Sequence, residues 1–141
     1  MLTFVLTIIG GVLIFVIGQL LLKVFINPIQ ELRSIKGSII DSLIYYDKFY
    51  SNPGMIAQDN AKKMSHTLSK LGSELMAKTN VLPWYRFWSL LRVVHKLSDI
   101  SEAHRNLIGL SNGLYAGDAH DNRKCVNKIK EALHLPKELL R

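Results

Sequence analysis

The sequence predicts an all-α protein: an N-terminal transmembrane helix over residues 1–26, then a small cytoplasmic bundle of four to five helices over residues 27–141. Three observations carry that expectation. Met1 to Leu22 contains no charged residue, and every acidic residue lies at or beyond Glu31. Past residue 27 the apolar positions recur at spacings of three and four, the repeat of one helix face, and no segment alternates as a half-buried strand does. The chain is 48% apolar over 141 residues with one cysteine, Cys125, which is too apolar for disorder and excludes a disulfide scaffold.

The uncharged N-terminal run makes about 33 Å of helix, enough for a hydrocarbon core. No Lys or Arg precedes it, it exceeds the apolar core of a signal peptide, and no small-x-small site follows, so it is expected to stay as an anchor. Lys23, Arg33, Lys36 and Lys48 follow the run, and the positive-inside rule then puts the remaining domain in the cytoplasm, at an anionic inner-membrane face. The lone thiol and the lack of an Asn-x-Ser/Thr site agree. Thr7, Gly11 and Gly18 share one face of the span, where a second helix backbone can come close. Gln19 and Lys23 form a polar pair one turn apart. A partner helix would stabilise a glutamine in lipid by about 1 kcal/mol. Alternatively, Gln19 lies near the end of the span and Lys23 snorkels to the headgroups.

Asn27-Pro28-Ile29-Gln30 reads as a cap, a proline at the first helical position and a box partner, so a helix starts or kinks there. Its apolar positions, Ile29, Leu32, Ile35, Ile39, Ile40, Leu43, Ile44 and Tyr46, carry it to about Tyr50, and Ser51-Asn52-Pro53-Gly54 is a turn signal. Ala57, Ala61, Met64, Leu68, Leu71 and Leu75 alternate by four and three, which predicts an antiparallel return helix. Asn80 to Leu82 breaks it, and Pro83 opens a short helix bearing Trp84, Phe87, Trp88, Leu91 and Val94 on one side. Asp99, with Glu102 as its box partner, is expected to cap the next helix, whose seam is Ile100, Ala103, Leu107, Leu110 and Leu114. Gly109, Gly113 and Gly117 add a glycine face that costs about 1 kcal/mol of helix propensity each, a mark of close backbone packing or of the helix end at Gly117. Asp118 to Asp121 caps a last helix through Val126, Ile129 and Leu133, and Leu135-Pro136 leads to a short basic tail.

Several blocks, Pro28-Ile29, Ile39-Ile40, Tyr45-Tyr46, Tyr50 to Gly54, Pro83-Trp84-Tyr85 and Leu107 to Asn112, resemble those of a group of small bacterial single-pass membrane-anchored proteins. The resemblance covers nearly the whole chain and implies bacterial origin and architecture, with no reaction. The architecture alone is similar to the accessory membrane protein of type VI-B CRISPR systems, a pore-forming assembly with a fold related to the HEPN class. HEPN ribonucleases use an Arg followed by four to six residues and a His. No Arg here has a His at that spacing; after Arg105 the matching positions hold Leu110, Ser111 and Asn112. A HEPN-like domain would therefore lack that nuclease chemistry.

No residue is nominated as catalytic, as a metal ligand or as a cofactor contact. His66, His95, His104, His120 and His134 fall singly on different predicted helices, whereas zinc needs three or four converging ligands. Asp118 and Asp121 are explained by capping, and Cys125, although beside Arg123 and Lys124, by packing. There is no Gly-rich phosphate loop.

The formal net charge of +7 is unevenly spread. Residues 61–96 hold seven basic residues, Lys62, Lys63, Lys70, Lys78, Arg86, Arg92 and Lys96, against one acid. The same stretch holds both tryptophans. Trp84, Tyr85 and Trp88 beside Arg86 match a helix lying at anionic headgroups. A small domain also needs large side chains for its core, and the stronger expectation is that Trp84, Phe87, Trp88 and Leu91 supply it. The leading functional expectation is a non-enzymatic membrane protein that forms a homo-oligomer, of pore or membrane-perturbing type as in an antiviral accessory component. The alternative is a tethered binding module that contacts nucleic acid or a protein through the basic 61–96 surface.

Overall fold

The computed structural model describes residues 1–53 and 57–136, and among these it is all-helical. Helix α1 (Leu2–Leu21) passes through a π-helical turn, Leu22–Ile26, into α2 (Asn27–Tyr45), making one continuous helix of 44 residues. The N-terminal part is long and apolar enough to cross a membrane, and none of it is buried against the rest of the chain. Of the two expectations at Asn27, a new start or an irregularity in the old helix, the new start is absent: Asn27 is helical (φ −59°, ψ −48°), and its N–H bonds the Leu22 carbonyl five residues back. The reason lies in Pro28, which lacks an N–H and crowds the carbonyl four residues before it. A widened turn just upstream lets the helix continue past the proline.

Helix α2 buries Ile29, Leu32, Ile35, Ile39 and Leu43. It stops at Tyr45 rather than Tyr50, because Tyr46 leaves helical geometry (φ −94°, ψ 7°) and a separate turn, α3 (Asp47–Ser51), follows. That break swings Tyr50 into the core, where its hydroxyl donates to the Leu43 carbonyl at 3.2 Å. Of the expected turn after it, Gly54 lies outside the described residues, as does the basic tail from residue 137.

Helix α4 (Gln58–Val81) returns antiparallel to α2, and Lys78 meets Glu31 at 2.7 Å near its end. Ala57 is the exposed residue before it, so the buried seam starts at Ala61. Leu82 is driven to an extended conformation (φ −67°, ψ 114°) by Pro83, which ends the helix. Trp84 then adopts the left-handed region (φ 54°) and turns the chain into α5 (Tyr85–Leu90). Helix α6 (Leu97–Ala116) runs away again and α7 (Ala119–Ala132) returns. The Asp99 cap is not formed: α6 begins two residues earlier, after an extended Lys96, and the Asp99 carboxylate accepts the Ser98 hydroxyl instead. Asp118 does precede α7 in extended geometry, without a side-chain cap bond.

Both α5 and α7 end in Schellman turns whose left-handed residue is not glycine. Arg92 (φ 56°) bonds to Ser89 O while Val93 N–H reaches Trp88 O; His134 (φ 49°) bonds to Glu131 O while Leu135 N–H reaches Lys130 O. Each left-handed side chain costs about 1–2 kcal/mol, offset by the apolar residue that follows, since Val93 and Leu135 both join the core.

In the bundle α4 packs on α2 and α6, and α6 on α7. The two predicted seams meet face to face: Met64, Leu68, Leu71 and Leu75 from α4, and Ile100, Ala103, Leu107, Leu110 and Leu114 from α6, are all buried. They are consumed by the chain's own core.

Candidate functional site

The feature that stands out is where the apolar helix meets the bundle. Phe25, in the π turn, lies between two tryptophans, with ring centroids 5.5 Å from Trp84 and 5.8 Å from Trp88. Phe87 completes the cluster, edge-on to Trp88 at 5.4 Å. Such pairs each add about 0.5–1.5 kcal/mol beyond burial, which helps hold Trp84 in its left-handed conformation. One hydrogen bond ties α5 to the segment that follows it: Tyr85 OH donates to the His95 carbonyl at 2.5 Å. Burial, chiefly, with Asp99 adding, pushes the Tyr85 phenol up to about 12, so it stays a donor at any ordinary pH.

The core assignment of these aromatics is overturned. Trp84 is 72% exposed, Phe87 52%, Leu91 53% and Leu90 80%. Trp88 alone of the expected set packs inward beside Tyr85, with Val93 and Val94 following. Its Nε1 is shut from solvent without an acceptor among the described residues. The reason is that α5 spans six residues, so only one of its faces reaches the bundle, and Leu, Ile and Met from the longer helices fill the interior.

The basic residues of 61–96 do not form one surface. Lys62 and Lys63 are exposed on the far half of α4, about 24 Å along the helix from Lys78. Lys70 pairs with Glu74 at 3.8 Å and Lys78 with Glu31 at 2.7 Å. Arg86 is exposed on α5 within the aromatic stretch, and Arg92 and Lys96, just after it, are exposed and border a cleft with Asp99, Glu102 and Glu131. Lys62 and Lys70, with His66, Asn112 and Tyr115, line a shallow polar cleft between α4 and α6.

The glycines of α6 do different work. A Cβ at Gly109 would lie 3.3 Å from Cys125 Sγ, and one at Gly113 would run into Asn122 Oδ1. Asn122 is 2% exposed, and its Nδ2 donates to Tyr50 O and Gly113 O, both at 3.3 Å, joining α7 to α3 and α6. Gly117 ends α6 in extended geometry (φ −82°, ψ 160°), with a hypothetical Cβ blocked by Gly113 O. In α1, by contrast, among the described residues outside that helix's own backbone nothing lies within 4 Å of a Cβ placed on Gly10, Gly11 or Gly18; Thr7 bonds Thr3 O of its own helix, and Gln19 is exposed.

Sequence reasoning missed one cluster. His95 and His134, far apart in the chain, stack with centroids 5.1 Å apart and planes 13° from parallel. Lys36 Nζ lies 3.2 Å from His95 Nε2, and Asp99 Oδ2 lies 3.7 Å from His134 Nε2. Burial first, then the Lys36 charge and His134, hold the His95 imidazole below its ordinary value, with Asp99 opposing. Burial also lowers Lys36. The Schellman turn that aims His134 here ends on a histidine, so no glycine marks it. Elsewhere, burial pushes the Cys125 thiol up, away from the reactive range, with Lys128 and not Arg123 or Lys124 as the opposing cation. Among the described residues no three His, Cys, Asp or Glu come together as a metal-binding group.

Comparison with protein-family models, with curated proteins and with solved structures finds no match to this chain.

Proposed function

We propose that this chain is a non-enzymatic, single-pass protein of the bacterial inner membrane, with its bundle in the cytoplasm, and that copies associate through the span into a homo-oligomer. The observation that carries this reading is the bareness of α1: twenty residues of apolar helix, none of them buried, with open space over Gly11 and Gly18. Water is no solvent for that surface, and lipid with a neighbouring helix is. The α4 and α6 seams are already paired within the chain, which leaves the long bare face of the span as the surface best suited to self-association. Thr7, Gly11 and Gly18 let two backbones approach, and Gln19 and Lys23 lie beside that face. Lys23, Arg33, Lys36 and Lys48, all after the span, support that orientation.

The test is the mass of the full chain in lipid nanodiscs and in detergent by light scattering. An oligomer that falls to monomer in Gly11→Ile/Gly18→Ile supports the proposal, and a monomer in the unaltered chain at micromolar concentration sinks it. Release of a vesicle-entrapped dye that disappears with the same substitutions identifies the assembly as a pore. A second reading, a tethered binding module, draws on the polar cleft beside Lys62 and Lys70. Salt-dependent RNA or DNA binding that is lost in Lys62→Glu/Lys63→Glu/Lys70→Glu would favour it.

A further inference from the structure

Helix α5 buries one side against the bundle and leaves the other bare. Trp84, Phe87, Leu90 and Leu91 expose half or more of their surface, and Val81, at the end of α4, exposes 72%. This patch is not isolated. Phe25 ties it to the end of the apolar helix, where Val24 and Ile26 are also exposed, so the apolar surface of α1 continues onto α5. The exposed charges nearest it are basic, Lys23 and Arg86, and the nearby acid Glu31 is engaged by Lys78; Arg92, at the end of α5, also borders a cleft that holds Asp99, Glu102 and Glu131. The connection is stiff, because α1 passes into α2 without a break and Phe25 sits in the joining turn. Two of the three left-handed non-glycine residues among the described residues, Trp84 and Arg92, bracket α5, so the backbone is strained just where this face is set.

We infer that α5, with Phe25, is a lipid-docking element that lays the bundle on the anionic headgroup surface, with Trp84, Phe87, Leu90 and Leu91 in the upper acyl region and Arg86, Arg92 and Lys23 at the phosphates. Continuity selects lipid as the occupant. From Leu2 to Phe25 the helix rises about 35 Å, so a span that crosses the bilayer brings Phe25, and the tryptophans on it, to the interface, where Trp is favoured and basic side chains meet anionic lipid. This docking presupposes that α1 crosses the membrane. It adds that the bundle is held against the surface instead of swinging free above it.

The test uses the full chain reconstituted in phosphatidylcholine vesicles, with or without phosphatidylglycerol. Trp84 and Trp88 are the only tryptophans, both in the patch, and Trp88→Phe isolates Trp84. The expected result is stronger quenching of Trp84 by lipid spin-labelled near the top of the acyl chain than near its methyl end, with little quenching by aqueous iodide. Arg86→Glu/Arg92→Glu should weaken the lipid quenching roughly threefold in anionic vesicles and little in neutral ones. Trp84 open to iodide and untouched by either lipid label overturns the inference. So does Trp84 shielded from both, which would mean that a second protein chain covers the patch. Phe15→Trp, in a chain with Trp84→Phe and Trp88→Phe, reports on the span separately. Deep-label quenching there without lipid quenching of Trp84 refutes docking alone, and no quenching at either position refutes the span with it.

Discussion

Replacing Gly113 by alanine should destabilise the bundle, although alanine is the better helix former. The substitution recovers about 1 kcal/mol of helix propensity. Against this, the new Cβ occupies the position of Asn122 Oδ1. Asn122 is 2% exposed and cannot retreat into solvent, so it must give up its bonds to Tyr50 O and Gly113 O or push α7 away from α6. Two buried hydrogen bonds are worth about 1 kcal/mol each, and overpacking a filled contact costs about 1–3 kcal/mol. Either way about 1–3 kcal/mol is lost against the roughly 1 kcal/mol recovered, so the net loss is up to about 2 kcal/mol, or up to about 8 °C in the melting midpoint for a domain of this size. Gly37 is the internal control. It lies on an exposed face of α2 with nothing within 4 Å of a Cβ, so Gly37→Ala should raise the midpoint by about 2–4 °C. Thermal melts of the full chain in one detergent, followed by helical circular dichroism, compare the two directly. Asn122→Ala in the Gly113→Ala background should cost less than the two single losses added, because the collision is gone. Equal and favourable shifts for Gly113→Ala and Gly37→Ala would refute this account of the α6–α7 contact.

Two further outcomes follow from the core and from the histidine pair. Leu107 is fully buried where α6 faces α4, and Leu107→Ala should cost about 2–5 kcal/mol in the same melts; a loss below about 1 kcal/mol would mean the two seams are not packed together. His95 is held below its ordinary value, so the unfolded chain takes up its proton first as pH falls past about 6.5. Its contribution to stability is therefore whole above that pH and is lost below it, down through the lowered folded value. Melting midpoints measured from pH 8 to pH 5 should fall on the acid side, and His95→Gln should flatten that fall; an unchanged slope removes His95 from the cause.

The long elements were legible because each carries its repeat over several turns. The four-three seams of α4 and α6 need only the sequence, since a stripe that regular can face only one way. What was not legible depends on single backbone geometries. The π turn answers Pro28, yet the same residues read equally as a fresh helix start. Tyr46 breaks the helix inside an unbroken apolar pattern, and nothing local announces it. Left-handed Arg92 and His134 stand where sequence rules look for glycine, and with them the meeting of His95 and His134 stayed hidden. The aromatic stretch was misassigned for a different reason. Large apolar side chains are the usual filling of a small core, and only the shortness of α5, set by Trp84 and Arg92 at its ends, turns most of them outward.

The charge distribution gains its meaning from that geometry. A stretch of sequence with seven basic residues and one acid invites a single anion-binding face, which the fold does not build. Lys62 and Lys63 lie at the far end of α4, salt bridges engage Lys70 and Lys78, Lys96 borders a cleft with Asp99, Glu102 and Glu131, and Arg86 and Arg92 stay on and at the end of α5. Long-range attraction to nucleic acid needs basic residues side by side, since each is screened beyond about 8–10 Å at physiological salt. Arg86 and Arg92 need no such array. They flank exposed Trp and Leu on a helix fixed to an apolar rod, and at a headgroup surface apolar insertion and local phosphate contacts add together. These positions are the reason the proposal takes lipid over nucleic acid: Arg86 and Arg92 stand where, among the described residues, the bare apolar surfaces of α1 and α5 run together.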